Sequence, residues 1–179
     1  MIETIVESIR VSLVTQARVV ILKEVEGERH LPIWIGPFEA EAIAMELQGI
    51  QSSRPLPYDL LRSVVGELGA EVARIVITEI SNDVYFARII IQHNGLGVEI
   101  DSRPSDAIAL AVRVKVPIFV EESVMERAGV RLDDDTDDDD DDETPESLEA
   151  SQVNEERLSA FRDFINTLDL DDFGNKKEN

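Results

Sequence analysis

The sequence predicts an α+β domain. Its sheet should be mixed and largely antiparallel, with three to four helices packed against it. A disordered acidic linker and a C-terminal helix should follow. Three observations predict this. Runs of β-branched residues recur through the first 130 positions, separated by Gly, Asn and Asp. Segments of helical period open on Gly36-Pro37 or Arg103-Pro104, and Gly49 and Gly69 stop two of them. Near Val130 the composition turns abruptly acidic. The 179 residues are 43% apolar, enough for one core plus an appendage. The organisation read from this is a domain over 1–130, a linker over 131–150, and a helix with its tail over 151–179.

The opening reads as an antiparallel meander. Ile9, Val11 and Leu13 alternate with Ser8, Arg10 and Ser12, a half-buried strand. Ala17 to Glu24 is a second strand. Its run Val19-Val20-Ile21-Leu22 has no polar face, so both sides should be covered. Glu26-Gly27 turns the chain into a third strand, Arg29 to Ile35. Pro37 then suits a first helical turn, because its missing N–H would lack a partner there anyway. The helix Phe38 to Gln48 places Ala40, Ile43, Ala44 and Leu47 on one face, with Glu39 and Glu46 at its margin. A loop with two prolines leads to a helix over Asp59 to Leu68.

Glu71 to Ile80 and Val84 to Gln92 form a hairpin around Ser81-Asn82-Asp83, and Asn94-Gly95 turns the chain into Gly97 to Ile100. A helix from Ser105 to about Lys115, a strand Val116 to Val120 and a helical turn Glu122 to Ala128 complete the domain.

The chain carries 17 basic and 38 acidic side chains, net −21. Residues 133–179 hold 19 of the acidic and 4 of the basic groups, net −15. Nine of the ten residues from Asp133 to Asp142 are Asp, a self-repelling run with nothing to bury. Beyond it, Leu158, Phe161, Ile165 and Leu168 share one helical face, which would dock on the domain or on a partner. The absence of Cys excludes disulfides, thiolate zinc sites and a cysteine nucleophile. No apolar run suits a membrane span, and Met1 to Arg10 lacks a signal-peptide layout, so a soluble cytoplasmic protein with no membrane partner is expected. Sheet edges that need covering make a homo-oligomer the expectation.

Chemistry concentrates between Glu99 and Asp106. A strand there crosses a tight turn into a helix and presents Asp101, Arg103, Ser105 and Asp106. Free N–H groups at a helix start attract phosphate, and a guanidinium grips two of its oxygens. Asp101 and Asp106 offer the hard oxygens that a divalent cation prefers. The same residues also describe an ordinary helix start, with Pro in the first turn and Asp favoured by the helix dipole. Arg54 and Asp59 read either as a substrate clamp or as a solvated Arg beside a helix cap. Glu39 and Glu46 read first as solvated charges. Trp34, between Ile33 and Ile35, reads as core or interface rather than a stacking platform. His30 and His93 read as surface residues. Walker, Rossmann, nucleophile-elbow and zinc patterns are absent, and so is a basic stripe for nucleic acid.

Four stretches carry a resemblance. They are Leu31-Pro32-Ile33-Trp34-Ile35-Gly36, Glu39-Ala40-Glu41-Ala42-Ile43, Arg54-Pro55, and the run from Asp101-Ser102-Arg103-Pro104-Ser105-Asp106 to Ala111. Together they resemble the bifunctional nuclease domain family over roughly residues 2–130. The resemblance implies a compact α+β fold and DNase and RNase activity on a DNA or RNA substrate. The positions matching the family are Glu39, Glu41, Arg54, Asp59, Asp101, Arg103, Ser105 and Asp106. One departure is Pro57-Tyr58-Asp59, where the family usually shows Thr-His-Asp; a Tyr is a poor acid–base group at neutral pH.

Residues and resemblance together give the expectation of a metal-assisted phosphodiesterase. Asp101, Asp106, Arg103 and Glu39 would act at the reacting centre. Asp101, Asp106 and Glu39 would hold Mg²⁺ or Mn²⁺, and Arg54, Asp59, Arg103 and Ser105 would bind substrate. The alternative is a non-catalytic regulatory or phosphate- and nucleotide-binding module.

Overall fold

The computed structural model describes residues 1–12 and 16–131. The expected acidic linker and C-terminal helix fall in 132–179, outside the described residues. Residues 1–10 and 17–131 belong to one compact unit.

That unit is α+β, as the residue pattern predicts. Its strands are β1 (Ile2–Val11), β2 (Arg18–Glu24), β3 (Arg29–Ile35), β4 (Ala70–Ser81), β5 (Val84–His93), β6 (Leu96–Ser102), β7 (Ile118–Val120) and β8 (Val130–Arg131). Its helices are α1 (Pro37–Leu47), α2 (Pro57–Glu67), α3 (Pro104–Val114) and α4 (Glu122–Ala128). One sheet runs in the order β6-β5-β4-β7-β1-β2-β3-β8. The β1/β7, β2/β3, β3/β8, β4/β5 and β5/β6 pairs are antiparallel, and β4/β7 is parallel.

The three-residue β7 stitches the two halves of the sheet together. Ile75 N–H donates to the Pro117 carbonyl on one side, and the Thr4 hydroxyl donates to the Ile118 carbonyl on the other. The strand is shorter than the Val116 to Val120 expected. Lys115 adopts a left-handed conformation that ends α3, and Pro117 bars its predecessor from helical geometry.

Three differences from the sequence reading have local causes. The first strand begins at Ile2 rather than near Ser8, because the polar Thr4 faces inward at 2% exposure and hides the alternation. β8 is two residues long, too short to leave a pattern. His30 is buried rather than on the surface, with Nε2 3.3 Å from Glu7 Oε1.

The hairpin turns follow from the sequence. Asn82 and Asp83 both take positive φ, as do Asn94 and Gly95. Such turns match the right-handed twist of the flanking strands. Beyond the second turn, β6 ends the sheet and leaves Leu96, Val98 and Ile100 exposed. The expected homo-oligomer rests on an edge of this kind.

α3 is the structural axis. Ala107, Ile108, Ala109, Leu110 and Ala111 are all at most 1% exposed. A helix apolar on every side is a core helix. Here α3 lies between β4 and β5 and the helices α1 and α2. The three alanines allow close approach on each side. The start of α3 is therefore held by packing along its whole length, and that start carries Arg103. Among the described residues, no helix is long and apolar enough to cross a membrane.

Candidate functional site

Arg103 is the N-cap of α3, with Pro104 in the first turn and Asp106 three residues on. Its side chain is 67% exposed and gripped from below by two carboxylates. Asp106 Oδ2 accepts from Arg103 Nε at 2.7 Å and Asp106 Oδ1 accepts from Nη2 at 3.0 Å. Glu39 Oε1 accepts from the same Nη2 at 2.6 Å. These bonds raise the Arg103 pKa, the Asp106 bonds most and the Glu39 bond next, so the group is cationic at any working pH. Among the described residues Nη1 has no partner, so the guanidinium keeps a free edge toward solvent.

The two reference points in the chain are 64 residues apart, and the fold joins them for reasons visible in α1. Gly36-Pro37 starts that helix, which places Glu39 in its first turn. A Cβ on Gly36 would collide with the Glu39 carboxylate. Gly36 thus lets the carboxylate fold back over the helix start and reach Arg103. Glu39 is only 13% exposed and not the solvated charge expected from its type.

Tyr58 completes the cluster from α2. Its hydroxyl donates to Asp106 Oδ1 at 2.8 Å. Burial, reinforced by that bond, pushes the phenol pKa well above its ordinary value. Tyr58 is therefore a neutral hydrogen-bond donor, not a proton shuttle. Arg113 stacks over its ring at 5.3 Å from the centroid.

The expected site residues divide. Glu39, Arg103 and Asp106 converge. Ser105, 7% exposed, lines a cleft of about 270 Å³ beside Arg103, between the end of β3 and the β4–β5 turn. Asp101 does not join them. It lies on β6 across from Arg88, on the exposed edge strand, and bonds to none of the three. Among the described residues, no group of three or more His, Asp or Glu could hold a metal ion, so the Asp101, Asp106 and Glu39 set does not form.

Arg54 and Asp59 do not form a clamp either. Asp59 Oδ2 accepts from the Leu56 N–H at 2.7 Å and Oδ1 from Arg113 Nε at 2.9 Å. It caps and braces α2, while Arg54 is exposed on the preceding loop. Glu41 is exposed on α1 and outside the cluster. Trp34, at 53% exposure, is not core. The roles of Gly36, Tyr58 and Arg113 in the site and its support were not read from the sequence. Tyr58 left a signal as the departure from the family's His, and Arg113 as an Arg four positions after Ala109 in an otherwise apolar helix.

An exposed guanidinium at a helix start, backed by two carboxylates and opening on a cleft, defines a site suited to a phosphate ester. The chain belongs to the bifunctional nuclease domain family, whose sequence model matches residues 20–133. An uncharacterized protein of Mycobacterium tuberculosis is 36% identical over 171 residues, covering 96% of this chain and 97% of that protein. Bifunctional nuclease 1 of Arabidopsis thaliana is 31% identical over 105 residues, 57% of this chain and 32% of the plant protein. Bifunctional nuclease 2 of Oryza sativa subsp. japonica is 30% identical over 119 residues, 65% of this chain and 37% of that protein.

Proposed function

We propose that this domain hydrolyses phosphodiester bonds of DNA or RNA at the Arg103 cluster. The free Nη1 edge of Arg103 carries the reading. It presents two N–H donors to an incoming phosphate, while Glu39 and Asp106 fix the direction in which they point. Two preorganised donors on a developing phosphoryl charge lower the barrier without reorganisation at the moment of reaction. Tyr58 helps to hold Asp106 by donating to Oδ1, the oxygen that also accepts from Arg103 Nη2.

The cluster has one cation and two anions, so an added phosphate calls for further positive charge. The two carboxylates suit Mg²⁺ or Mn²⁺, ions that commonly take one or two protein carboxylates and complete their shell with water and substrate phosphate. Glu39 and Asp106 are the residues that would hold such an ion, without Asp101. The chemistry it supplies is neutralisation of phosphoryl oxygens and a more acidic bound water.

The test is cleavage of single- and double-stranded DNA and RNA with and without divalent metal. Arg103→Ala, Glu39→Gln and Asp106→Asn should each lower the rate about 100-fold or more, the usual effect of losing one such donor or its support. Asp101→Asn should keep most of the activity. Equal cleavage by all variants would assign the activity to another site or to a contaminant.

The non-catalytic reading has one observation in its favour: both carboxylates are already engaged by Arg103. Under that reading mononucleotides raise the melting temperature and stay intact.

A further inference from the structure

We infer that β6 is a self-pairing edge: two copies of this chain join through it in antiparallel register, Val98 opposite the partner's Val98, and make one continuous sheet. β6 ends the sheet, with β5 on one side and no strand on the other. Among the described residues nothing pairs with its outward N–H and C=O groups. Edges of this kind are ordinarily blunted by Lys, Pro or a bulge. β6 has none of these. It reads Leu96-Gly97-Val98-Glu99-Ile100-Asp101-Ser102 and pairs residue for residue with β5.

The side chains of β6 divide between two faces. The register sets Ile100 beside Ile89, Val98 beside Ile91 and Leu96 beside His93, so the apolar three are on the face that carries the core. Ile89 and Ile91 are buried there, where α3 packs on β5. One strand further out, Leu96, Val98 and Ile100 are 71%, 45% and 43% exposed. The apolar floor of the domain thus overhangs its helix layer by one strand. Glu99 and Asp101 are on the opposite face, where Glu99 pairs with Arg88 at 3.4 Å.

A strand of this pattern is its own complement in one register. A twofold axis normal to the sheet keeps the apolar faces of both copies on one side. With the axis at Val98, Leu96 lies opposite the partner's Ile100, Val98 opposite the partner's Val98, and Glu99 opposite the partner's Gly97. Every apolar residue then meets an apolar one, and no carboxylate directly faces another. Sliding the axis to Glu99 sets the two Glu99 side chains opposite each other and leaves Leu96 facing Ser102. Like charges so placed are destabilising. Sliding it to Gly97 puts Ile100 opposite Asn94, beyond the strand. The pairing also fixes the strand that leads into Arg103, and sets the two Arg103 residues about 34 Å apart along the strand direction.

The experiment measures the mass of the full-length protein by sedimentation at about 100 µM, a concentration suited to the small interface that one strand pair makes. Wild type should run at twice the 20.0 kDa of the chain. Val98→Lys should run as the monomer with an unchanged circular dichroism spectrum, because it sets two ammonium groups opposite each other. Leu60→Lys, the same exchange at an exposed position of α2, should stay dimeric. The chain has no Cys, so a single introduced one reports on its own position. Val98→Cys should form a disulfide-linked dimer under mild oxidation, since directly opposed residues are about 4.5–5.5 Å apart at Cα. Glu99→Cys should link about tenfold more slowly or less, its twin being about 8 Å away and beyond disulfide reach.

A wild-type monomer at that concentration overturns the proposal, whether solvent or the chain's own residues 132–179 meet the edge. A dimer that survives Val98→Lys, or that Leu60→Lys dissolves, puts the interface elsewhere and overturns it as well. Faster linking by Glu99→Cys than by Val98→Cys overturns the register. A dimer lost in Val98→Lys alone, with rapid linking at position 98, supports the pairing. Should Val98→Lys misfold, the two cysteine variants decide. No outcome depends on cleavage, so the Arg103 reading stands or falls separately.

Discussion

A guanidinium has five N–H donors, and Arg103 commits three of them, one from Nε and two from Nη2, to Asp106 and Glu39. The remaining two set what the residue can do. They cannot rotate away, because the planar group is clamped along its other edges. The same logic applies to Tyr58, whose proton is committed to Asp106. Its pKa is raised above the ordinary 10.0. For a group with a raised folded-state pKa, the stabilisation is complete below the unfolded value and is lost as pH rises through the folded one. The Tyr58 phenol should therefore ionise above pH ~10 in an absorbance titration. That component should be missing from Tyr58→Phe, whose stability should also fall less steeply in alkali. A wild-type titration with both phenols at the ordinary value would contradict this account of Asp106. Little of this was legible at the residue scale beforehand. Arg103 and Asp106 were, because they sit three positions apart. Glu39 was expected at the centre, but as a metal ligand; its bond to Arg103 and that of Tyr58 to Asp106 were not legible, because 64 and 48 residues separate the partners.

Among the elements, α3 does most to position the site, and Arg113 anchors its far end. Its side chain is 2% exposed, yet it is charged. Nε reaches Asp59 of α2 at 2.9 Å, Nη2 reaches the Ala42 carbonyl of α1 at 3.0 Å, and Nη1 returns to the Ala109 carbonyl at 2.9 Å. One buried cation thus fastens three helices. Arg113→Met should cost about 3 kcal/mol in chemical denaturation, because carbonyls that end buried without a donor carry their full desolvation penalty. A loss under about 1 kcal/mol would show that solvent replaces those bonds readily. Element identity was largely legible, since period and Pro/Gly punctuation are local signals. Helix starts shifted by a residue or so at Pro37 and Pro104, because proline is itself the first helical residue there. The beginning of β1 was hidden by an inward Thr4, whose hydroxyl is satisfied by Ile118 from the far end of the domain.

For the whole molecule, charge is the distinguishing property. A chain of net −21 meets a polyanion against a repulsive field. Proteins that bind nucleic acid through many phosphate contacts lose affinity steeply with salt, each contact adding about −0.7 to the log–log slope on a single strand. With one guanidinium in the site, the slope here should be about −1 or shallower. Anisotropy of a labelled strand over a tenfold range of salt measures it, and a slope of about −4 would reveal an extended basic surface the fold does not show. The division of the sheet into halves joined by β7 was not legible, because register across non-consecutive strands leaves no trace in local pattern. The family likeness was legible because the run from Asp101 to Ala111 is both the most continuous motif and the start of the buried axis.

The central claim is that phosphodiester chemistry depends on the Arg103 guanidinium. Its most direct measurement is the cleavage rate of purified Arg103→Ala beside its melting temperature. The account predicts a rate about 100-fold or more below wild type at an essentially unchanged melting temperature, since the side chain is mostly in solvent. A variant that melts normally and cuts as fast as wild type would contradict it.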